Sequence, residues 1–523
     1  MQRATRPIYR KTALIAGAGV LALVATACTG NPSSEDTSQS KTKTVGLSVV
    51  GPITSLDPVK AVSFQDLQAA SAAYSPLVYF SPDGKLIPGI AESWKSTATS
   101  ATFKIRAGVT CSDGTTLTAQ MVADSLTRYM DPANNAPLRG RVAGSGNTAK
   151  VTSNGDAKTV TIKLANPWSE LVAGMTSPST GIVCPSGLKN PKKLRTETHG
   201  TGPYVAESQV PGANYTFKAR TDYNWGPEYE NQPAGQIPSK LVLTVIKDDN
   251  TAANLQNTGA LAIASYTTKA WKQFEGKDGF DTQAQAQSDT MLLFNETPGR
   301  PTAKKSVREA IAKALNRSTL TEVLGDGNGT LEQNLGNPDY LCYDSGLKSE
   351  VPEYDKASAG EVLKGMKIRV VGTTLVASGN GTSSVLSQLN SEGAAATLKN
   401  MHNESWVDAL FSGKNEWDVT ILVYANTFNS LTSAAGFFVG DAPPKGQNIG
   451  NVQNAAAAKA YSAAGALTGE DKCQATSLLQ KELFEGVDVL PLAAVPVTNV
   501  FTNGAKGVLV KGFAMPSSIR VGE

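Results

Sequence analysis

A chain of 523 residues is too long for one ordinary core and long enough for two to four domains. Its 40% hydrophobic and 18% charged residues fit a soluble globular protein. A formal net charge of +3 supplies neither a basic field for nucleic acid nor an acidic one for cationic partners.

The N-terminus reads as a processing segment. Arg3, Arg6, Arg10 and Lys11 form a basic start, and Ala13 to Ala25 is an uncharged apolar run too short to span a bilayer comfortably. Ala27-Cys28 follows, and then "TGNPSSEDTSQSKTK", a polar tether that cannot bury itself. This order resembles a bacterial lipoprotein signal, except that the third position before the cysteine, usually Leu, is Ala25. Two readings stand: lipidation of Cys28, or an ordinary signal peptide in which Cys28 has no role. Lipidation is favoured, because a free exposed thiol just past a cleavage site is a liability. The expectation is a signal peptide over 1–27, a tether over 28–43 and a body held by lipid on the extracytoplasmic face of the cell membrane. No later stretch approaches 18 apolar residues.

Strand and helix patterns then alternate, which predicts an α/β protein. "ATFKIR" (Ala101 to Arg106) has a period of two through Phe103 and Ile105. In "VTCSDGTTLTAQMVADSL" (Val109 to Leu126), Ser112-Asp113-Gly114 is turn chemistry and Thr118 is a helix N-cap. Val122, Leu126 and Tyr129 share one face of the helix that follows. "TVTIKL" (Thr159 to Leu164) places Val160, Ile162 and Leu164 on one strand face. "VREAIAKAL" (Val307 to Leu315) repeats apolar residues at helical spacing. "GDGNGT" (Gly325 to Thr330) lacks the Lys-Ser/Thr of a phosphate loop and reads as a loop after a helix.

Catalytic and metal chemistry find no support. There is no G-x-S-x-G elbow, and His199 and His402 lack motif context. Two isolated histidines and no cysteine cluster give no ligand spacing. Neither an enzyme, nor a bound metal, nor a cofactor is expected. Apart from Cys28, four cysteines remain: Cys111, Cys184, Cys342 and Cys473. In an oxidising compartment these allow three pairings, with free buried thiols as the alternative.

A series of segments resembles the extracytoplasmic solute-binding proteins of peptide/nickel-type ABC transporters, family 5. It runs through "SLDP" (Ser55 to Pro58), "YSPLVYFSPDGKLIPGIAESW" (Tyr74 to Trp94), "TFKIRAGVTCSDGTTLTAQMVADSL" (Thr102 to Leu126) and "GTGPYVAES" (Gly200 to Ser208). It continues through "RTDYNWGPE" (Arg220 to Glu228), "NLQNTGALAIA" (Asn254 to Ala264), "MLLFNET" (Met291 to Thr297), "SVREAIAKALNRSTL" (Ser306 to Leu320) and "EYDKASA" (Glu353 to Ala359).

The resemblance implies a type II periplasmic-binding-protein fold, two α/β lobes with an extra third domain. Domain I is expected from 44–73, 198–288 and 497–523, domain II from 74–197 and domain III from 289–496, with hinge strands near Ala284 to Asp289 and Gly486 to Pro491. Pairing Cys111 with Cys184 and Cys342 with Cys473 then keeps each bridge inside one domain. The implied function is capture of a peptide or peptide-like solute for ABC permease subunits by a monomer. The alternatives are a non-peptide solute (oligosaccharide, modified peptide or metal chelate) or sensing without import.

The resemblance also nominates ligand-binding residues. In peptide-binding relatives the strand within "EWDVTILVYANTFNSL" (Glu416 to Leu431) ends in Trp, two small residues and an Asp that pairs with the peptide α-ammonium. The matching positions here are Tyr424, Ala425 and Asn426, and this loop has no carboxylate. Three readings follow: the solute lacks a free α-amino group, another carboxylate serves, or the register of the match is off by several residues. Asp418 is expected to be structural. Ser63, Phe64 and Gln65, in the loop after the first strand, are candidates to reach the solute, against a solvated loop in which Phe64 only packs. Trp406 and Trp168 are candidate pocket walls, against a core role for each.

Overall fold

The computed structural model describes residues 44–522, apart from 375, 376, 415 and 426. The leader, the tether and Cys28 lie outside the described residues, as does Asn426.

The period-two segments are strands where the pattern places them. Ser100–Ile105 buries Ala101, Phe103 and Ile105, and Thr159–Leu164 buries Val160, Ile162 and Leu164. The two pair antiparallel, Phe103 opposite Val160, so their apolar faces coincide. With Ala91–Thr97 and Ala149–Asn154 they make a four-stranded sheet. Val122, Leu126 and Tyr129 of the helix Ala119–Met130 are buried, and the helix packs on that sheet. Each such side chain contributes about 1.5–3 kcal/mol by leaving water. The turn before this helix follows its chemistry. Gly114 has φ +82°, Asp113 Oδ1 accepts from Thr115 N at 3.0 Å, and Thr118 Oγ1 accepts from Met121 N at 3.3 Å. Cys111 is bonded to Cys184, and Cys342 to Cys473.

A second, larger sheet is mixed. Its axis is a pair of long antiparallel strands, Asp281–Phe294 and Val489–Phe501. On one flank Ile263–Tyr266 joins Val489–Phe501, and beyond it lie Thr44–Val49 and Lys240–Val245, mutually parallel. On the other flank Val419–Ala425 joins Asp281–Phe294, and beyond it Lys367–Thr373 and Ala395–Met401 run parallel to it.

The registers fix a consequence. Ile263 pairs with Phe501 and Tyr266 with Thr498, so that flank points its strand C-termini at the middle of the long pair. Val419 pairs with Phe294 and Ala425 with Ser288, so the other flank points at the same middle from the opposite end. The parallel strands of the two flanks thus aim their carboxyl ends at one place, the side on which open α/β sheets bind ligands. There Asp281–Phe294 carries register shifts between Ala286 and Ser288 and between Thr290 and Met291. The stretch Ala284 to Asp289 pairs with Ala494 to Thr498, not with Gly486 to Pro491. The latter begins too early because Gly486 caps the helix Gly469–Glu485.

Candidate functional site

A cavity of about 580 Å³ lies where the two half-sheets converge. The first flank contributes Leu47 to Val50, Lys247 to Asn250 and Ser265. The second contributes Val323, Thr374 and Val423, and the long pair supplies Ser288, Thr290, Val495 and Val497. Its size suits a small molecule or short peptide.

Hydrogen bonds fix much of this wall. Asp249 Oδ2 accepts from Thr267 N at 3.0 Å, Thr268 N at 2.8 Å and Thr268 Oγ1 at 2.7 Å. Lys269 N donates to Asp326 Oδ2 at 2.9 Å, tying the first flank to the loop after the helix Arg317–Leu324. Ser265 Oγ donates to Asn499 Oδ1 at 2.7 Å, and Thr290 Oγ1 to the Ala493 carbonyl at 2.8 Å.

Phe64 and Gln65 line this cavity. Phe64 stacks on Phe513, ring centroids 5.4 Å apart. Ser63 instead caps the helix Phe64–Ala73, its Oγ accepting from Asp66 N at 3.2 Å. Trp406 is not in the lining: it is buried, and its Nε1 donates to Thr420 Oγ1 at 2.9 Å. Trp168 is buried and packs against Tyr461, centroids 5.6 Å apart. Asp418 is buried and accepts from Arg369 N at 2.8 Å.

Successive strand residues face opposite ways. Ser288, Thr290 and Val423 face the cavity, so Asp289 and Tyr424 face the other side of the sheet. A buried polar and aromatic cluster gathers there. Tyr340 OH donates to Asp289 Oδ2 at 2.7 Å and Asn337 Nδ2 to Asp289 Oδ1 at 3.2 Å. Burial nevertheless raises the Asp289 carboxyl to about 6. Glu332 is pushed well above the carboxylate range by burial and by the neighbouring Asp289 carboxylate. Tyr424 OH donates to the Leu335 carbonyl. Lys511 Nζ lies 5.5 Å from the Tyr340 ring centroid and donates to Asn429 Oδ1 at 2.7 Å, and burial lowers its pKa. Arg141, from the short helix Arg139–Ala143, reaches the same cluster.

Sequence reasoning nominated Tyr424 but none of Arg141, Asp289, Glu332, Tyr340 or Lys511. Nothing local marks them. Arg139 and Arg141 look alike in "PLRGRVAG", yet Arg139 Nη1 donates to the Asn147 carbonyl at 2.7 Å while Arg141 goes to the interior. Among the described residues no group of three or more His, Cys, Asp or Glu side chains could hold a metal ion. No helix among them is long and apolar enough to cross a membrane.

Residues 85–443 match the family described as bacterial extracellular solute-binding proteins, family 5 middle. The glutathione-binding protein GsiB of Escherichia coli O157:H7 is 26% identical over 328 residues, covering 62% of this chain and 61% of that protein. The match therefore spans less than two thirds of the length of this curated relative. A substrate binding protein from Microbacterium hydrocarbonoxydans, solved in complex with 4-hydroxybenzoate hydrazide, superposes with a TM-score of 0.83 at 31% identity. The alignment covers 91% of this chain and 99% of that one. The Escherichia coli murein tripeptide binding protein MppA shares the fold, with a TM-score of 0.79 at 20% identity over 92% of this chain and 99% of its own.

Proposed function

The chain belongs to the bacterial extracellular solute-binding proteins, family 5, and from that premise we propose that it captures a small solute outside the cytoplasm and presents it to the permease of an ABC importer. One observation carries the reading: the parallel strands of the two flanks direct their C-termini at a shared, cavity-lined middle, crossed among the described residues by two long strands.

Two crossing strands make a hinge. A solute touching both flanks binds the closed arrangement better than the open one, and shifts the population by that difference in affinity and no more. Domains I, II and III, with the boundaries given above, are the rigid parts of this scheme. Domain II moves with domain I, to which Arg128 ties it by pairing with the buried Asp57, Nη1 to Oδ1 2.9 Å. Domain II also meets domain III. Lys472 Nζ lies 2.7 Å from Glu170 Oε1, the Ser430 hydroxyl donates to the same oxygen, and Ser169 N donates to the Gly465 carbonyl at 2.6 Å. These contacts form the latch of the closed form. Phe64 and Gln65, which line the cavity, are the proposed solute contacts; Tyr424 and Asn426 stay proposals that rest on the resemblance alone, and Cys28 is the proposed lipid anchor.

The solute is a peptide or peptide-like molecule, a reading supported by a relative named for glutathione and a neighbour named for a murein tripeptide. A second reading, a non-peptide solute, is supported by the neighbour complexed with an aromatic hydrazide. Capture leaves the solute unchanged; no catalytic role is assigned to any residue. Native mass spectrometry of protein purified from its own host tests this. A small molecule held at one per chain supports capture, and a peptide mass decides between the two readings. Protein that never carries a solute counts against capture.

A further inference from the structure

The segment from Thr330 to Asp344 meets the hinge and the latch at once. Thr330 and Leu331 pair with Ala494 and Ala493 of the strand Val489–Phe501. Asn337 and Tyr340 both donate to Asp289 in the other long strand, beside its first register shift. Just beyond, Leu341 bridges to Ser430, and Cys342 is bonded to Cys473, next to Lys472 on the helix Gly469–Glu485. Lys472 and the Ser430 hydroxyl are the groups that hold Glu170 of the 74–197 segment. The segment also ties itself shut: Asn334 Nδ2 donates to the Asp344 carbonyl at 2.9 Å, and Asp344 N to Asn334 Oδ1 at 3.1 Å.

One residue separates Tyr340 from Cys342, so at most about 7 Å of chain joins the grip on the hinge strand to the grip on the latch helix. So short a link passes on a shift of either partner rather than absorbing it. The segment's other ties to that helix, among the described residues, are noncovalent: Leu335 N donates to Gln480 Oε1 at 2.8 Å, and the Ser477 hydroxyl to Asp344 Oδ2. Hydrogen bonds of this kind exchange for bonds to water as segments move, and a covalent bond does not. Cys342 stands at φ +68°, a left-handed backbone that a residue other than glycine keeps only where its surroundings hold it. The two bridges also differ in access. Cys111 and Cys184 are 0% exposed, whereas Cys342 and Cys473 are half-buried, and Leu341 beside them is 61% exposed. A thiol in solution therefore reaches the second bridge and not the first.

We propose that the Cys342–Cys473 bond is a redox-sensitive clasp on solute retention. Closed, it makes the hinge strand, the segment 330–344 and the latch helix move as one body. Opened by a low-molecular-weight thiol, it uncouples the latch from the hinge and the solute is released. This rests on the capture reading and adds to it a control by thiols outside the cytoplasm. The thiolate of one small thiol attacks a sulfur of the bridge; the Cys–Cys bond breaks, a mixed disulfide forms and the other cysteine leaves as a thiolate. A second small thiol attacks the mixed disulfide and releases the remaining cysteine. Two small thiols are thereby oxidised to one disulfide, and the bridge takes up two electrons and two protons. Cys342 then relaxes from its left-handed backbone, Tyr340 shifts with it, and Lys472 no longer follows the hinge.

The test uses the whole chain, with 2-mercaptoethanol as the thiol because it does not resemble a peptide. Alkylation and mass mapping under native conditions should find Cys342 and Cys473 free while Cys111 and Cys184 stay bonded. Hydrogen exchange should then rise roughly tenfold or more at 284–289 and along Gly469–Glu485, with the strand Thr159–Leu164 unchanged. Reoxidation should reverse the rise. Cys342→Ser/Cys473→Ser should exchange like the reduced wild type and ignore the thiol; where that variant does not fold, the reduced wild type decides alone. A staple that only supports the fold predicts a lower urea midpoint with exchange at 284–289 unchanged, and that result overturns the clasp. So does a bridge that opens only together with Cys111–Cys184. Retention separates the two layers of the account. Native mass spectrometry of wild type still bearing its co-purified molecule should show the bound mass lost with 2-mercaptoethanol and kept without it. A bound mass kept after reduction overturns the clasp and leaves capture standing. Protein that carries no molecule counts against capture, while hydrogen exchange still decides the clasp.

Discussion

Lys472→Met is the sharpest perturbation of the proposed latch. Lys472 and Glu170 are 2.7 Å apart, with side chains 8% and 6% exposed. Glu170 Oε1 also accepts from the Ser430 hydroxyl, and Glu170 Oε2 is already buried without a partner. Lys472 Nζ further donates to Ser169 Oγ at 3.1 Å. Removing the ammonium therefore leaves a buried carboxylate with a single hydroxyl donor. Breaking a buried pair in this way costs about 3–5 kcal/mol. In a rigid body the whole amount would show as lost global stability. In a hinged one there is a cheaper response: the segments part, Glu170 reaches water and the domains stay folded. About 3 kcal/mol taken from the closed form is roughly a 100-fold loss of solute affinity, at 1.4 kcal/mol per tenfold. The expected outcome is an urea midpoint close to wild type, a larger radius of gyration in solution scattering with solute present, and affinity down by two orders of magnitude by calorimetry. The double variant Glu170→Gln/Lys472→Met regains much of that affinity, because no charge is left buried. An unchanged affinity and radius, or a penalty appearing wholly as lost global stability, refutes the latch.

Other outcomes follow from the same geometry. Asp289 titrates near 6 in the folded chain and near 3.9 when unfolded, so the native state binds the extra proton between those values and loses stability as pH rises through them. The shift of about two units corresponds to about 3 kcal/mol. Asp289→Asn should remove that share of the slope in urea unfolding between pH 4 and 7, and an unaltered slope contradicts the assignment. Phe64→Ala, which deletes a ring lining the cavity and stacked on Phe513, should weaken solute binding at least tenfold with a small change in melting temperature; loss of stability with full affinity would mean that the ring only packs. Cys342 and Cys473 close a loop of sequence separation 131, so Cys342→Ser/Cys473→Ser should lower unfolding free energy by about 2–5 kcal/mol, and a stability equal to wild type argues against that bridge.

Local structure was open to reading wherever one segment carries its own reason. Alternation in Val160, Ile162 and Leu164 marks a strand because period two is a property of the strand itself. Thr118 marks a helix start because its hydroxyl serves an amide three residues on. The segments that place the chain in its family are of this kind, turns and caps at fixed offsets. The long-strand pairing was less accessible. Gly486 to Pro491 and Ala494 to Thr498 both carry strand-forming valines, and the helix end at Gly486 and the register with Asp281–Phe294 tell them apart. The buried cluster was least accessible. Asp289, Arg141 and the pair Glu332 and Tyr340 come from three distant segments, and what singles them out is desolvation, which depends on everything packed around them.

Solution scattering of the wild type, recorded with and without the solute it carries and followed by mass analysis of what is released, tests capture by closure most directly. The expectation is a smaller radius of gyration in the occupied protein and a released molecule of unaltered mass. Identical scattering curves at saturation, or a molecule that leaves chemically changed, would contradict it.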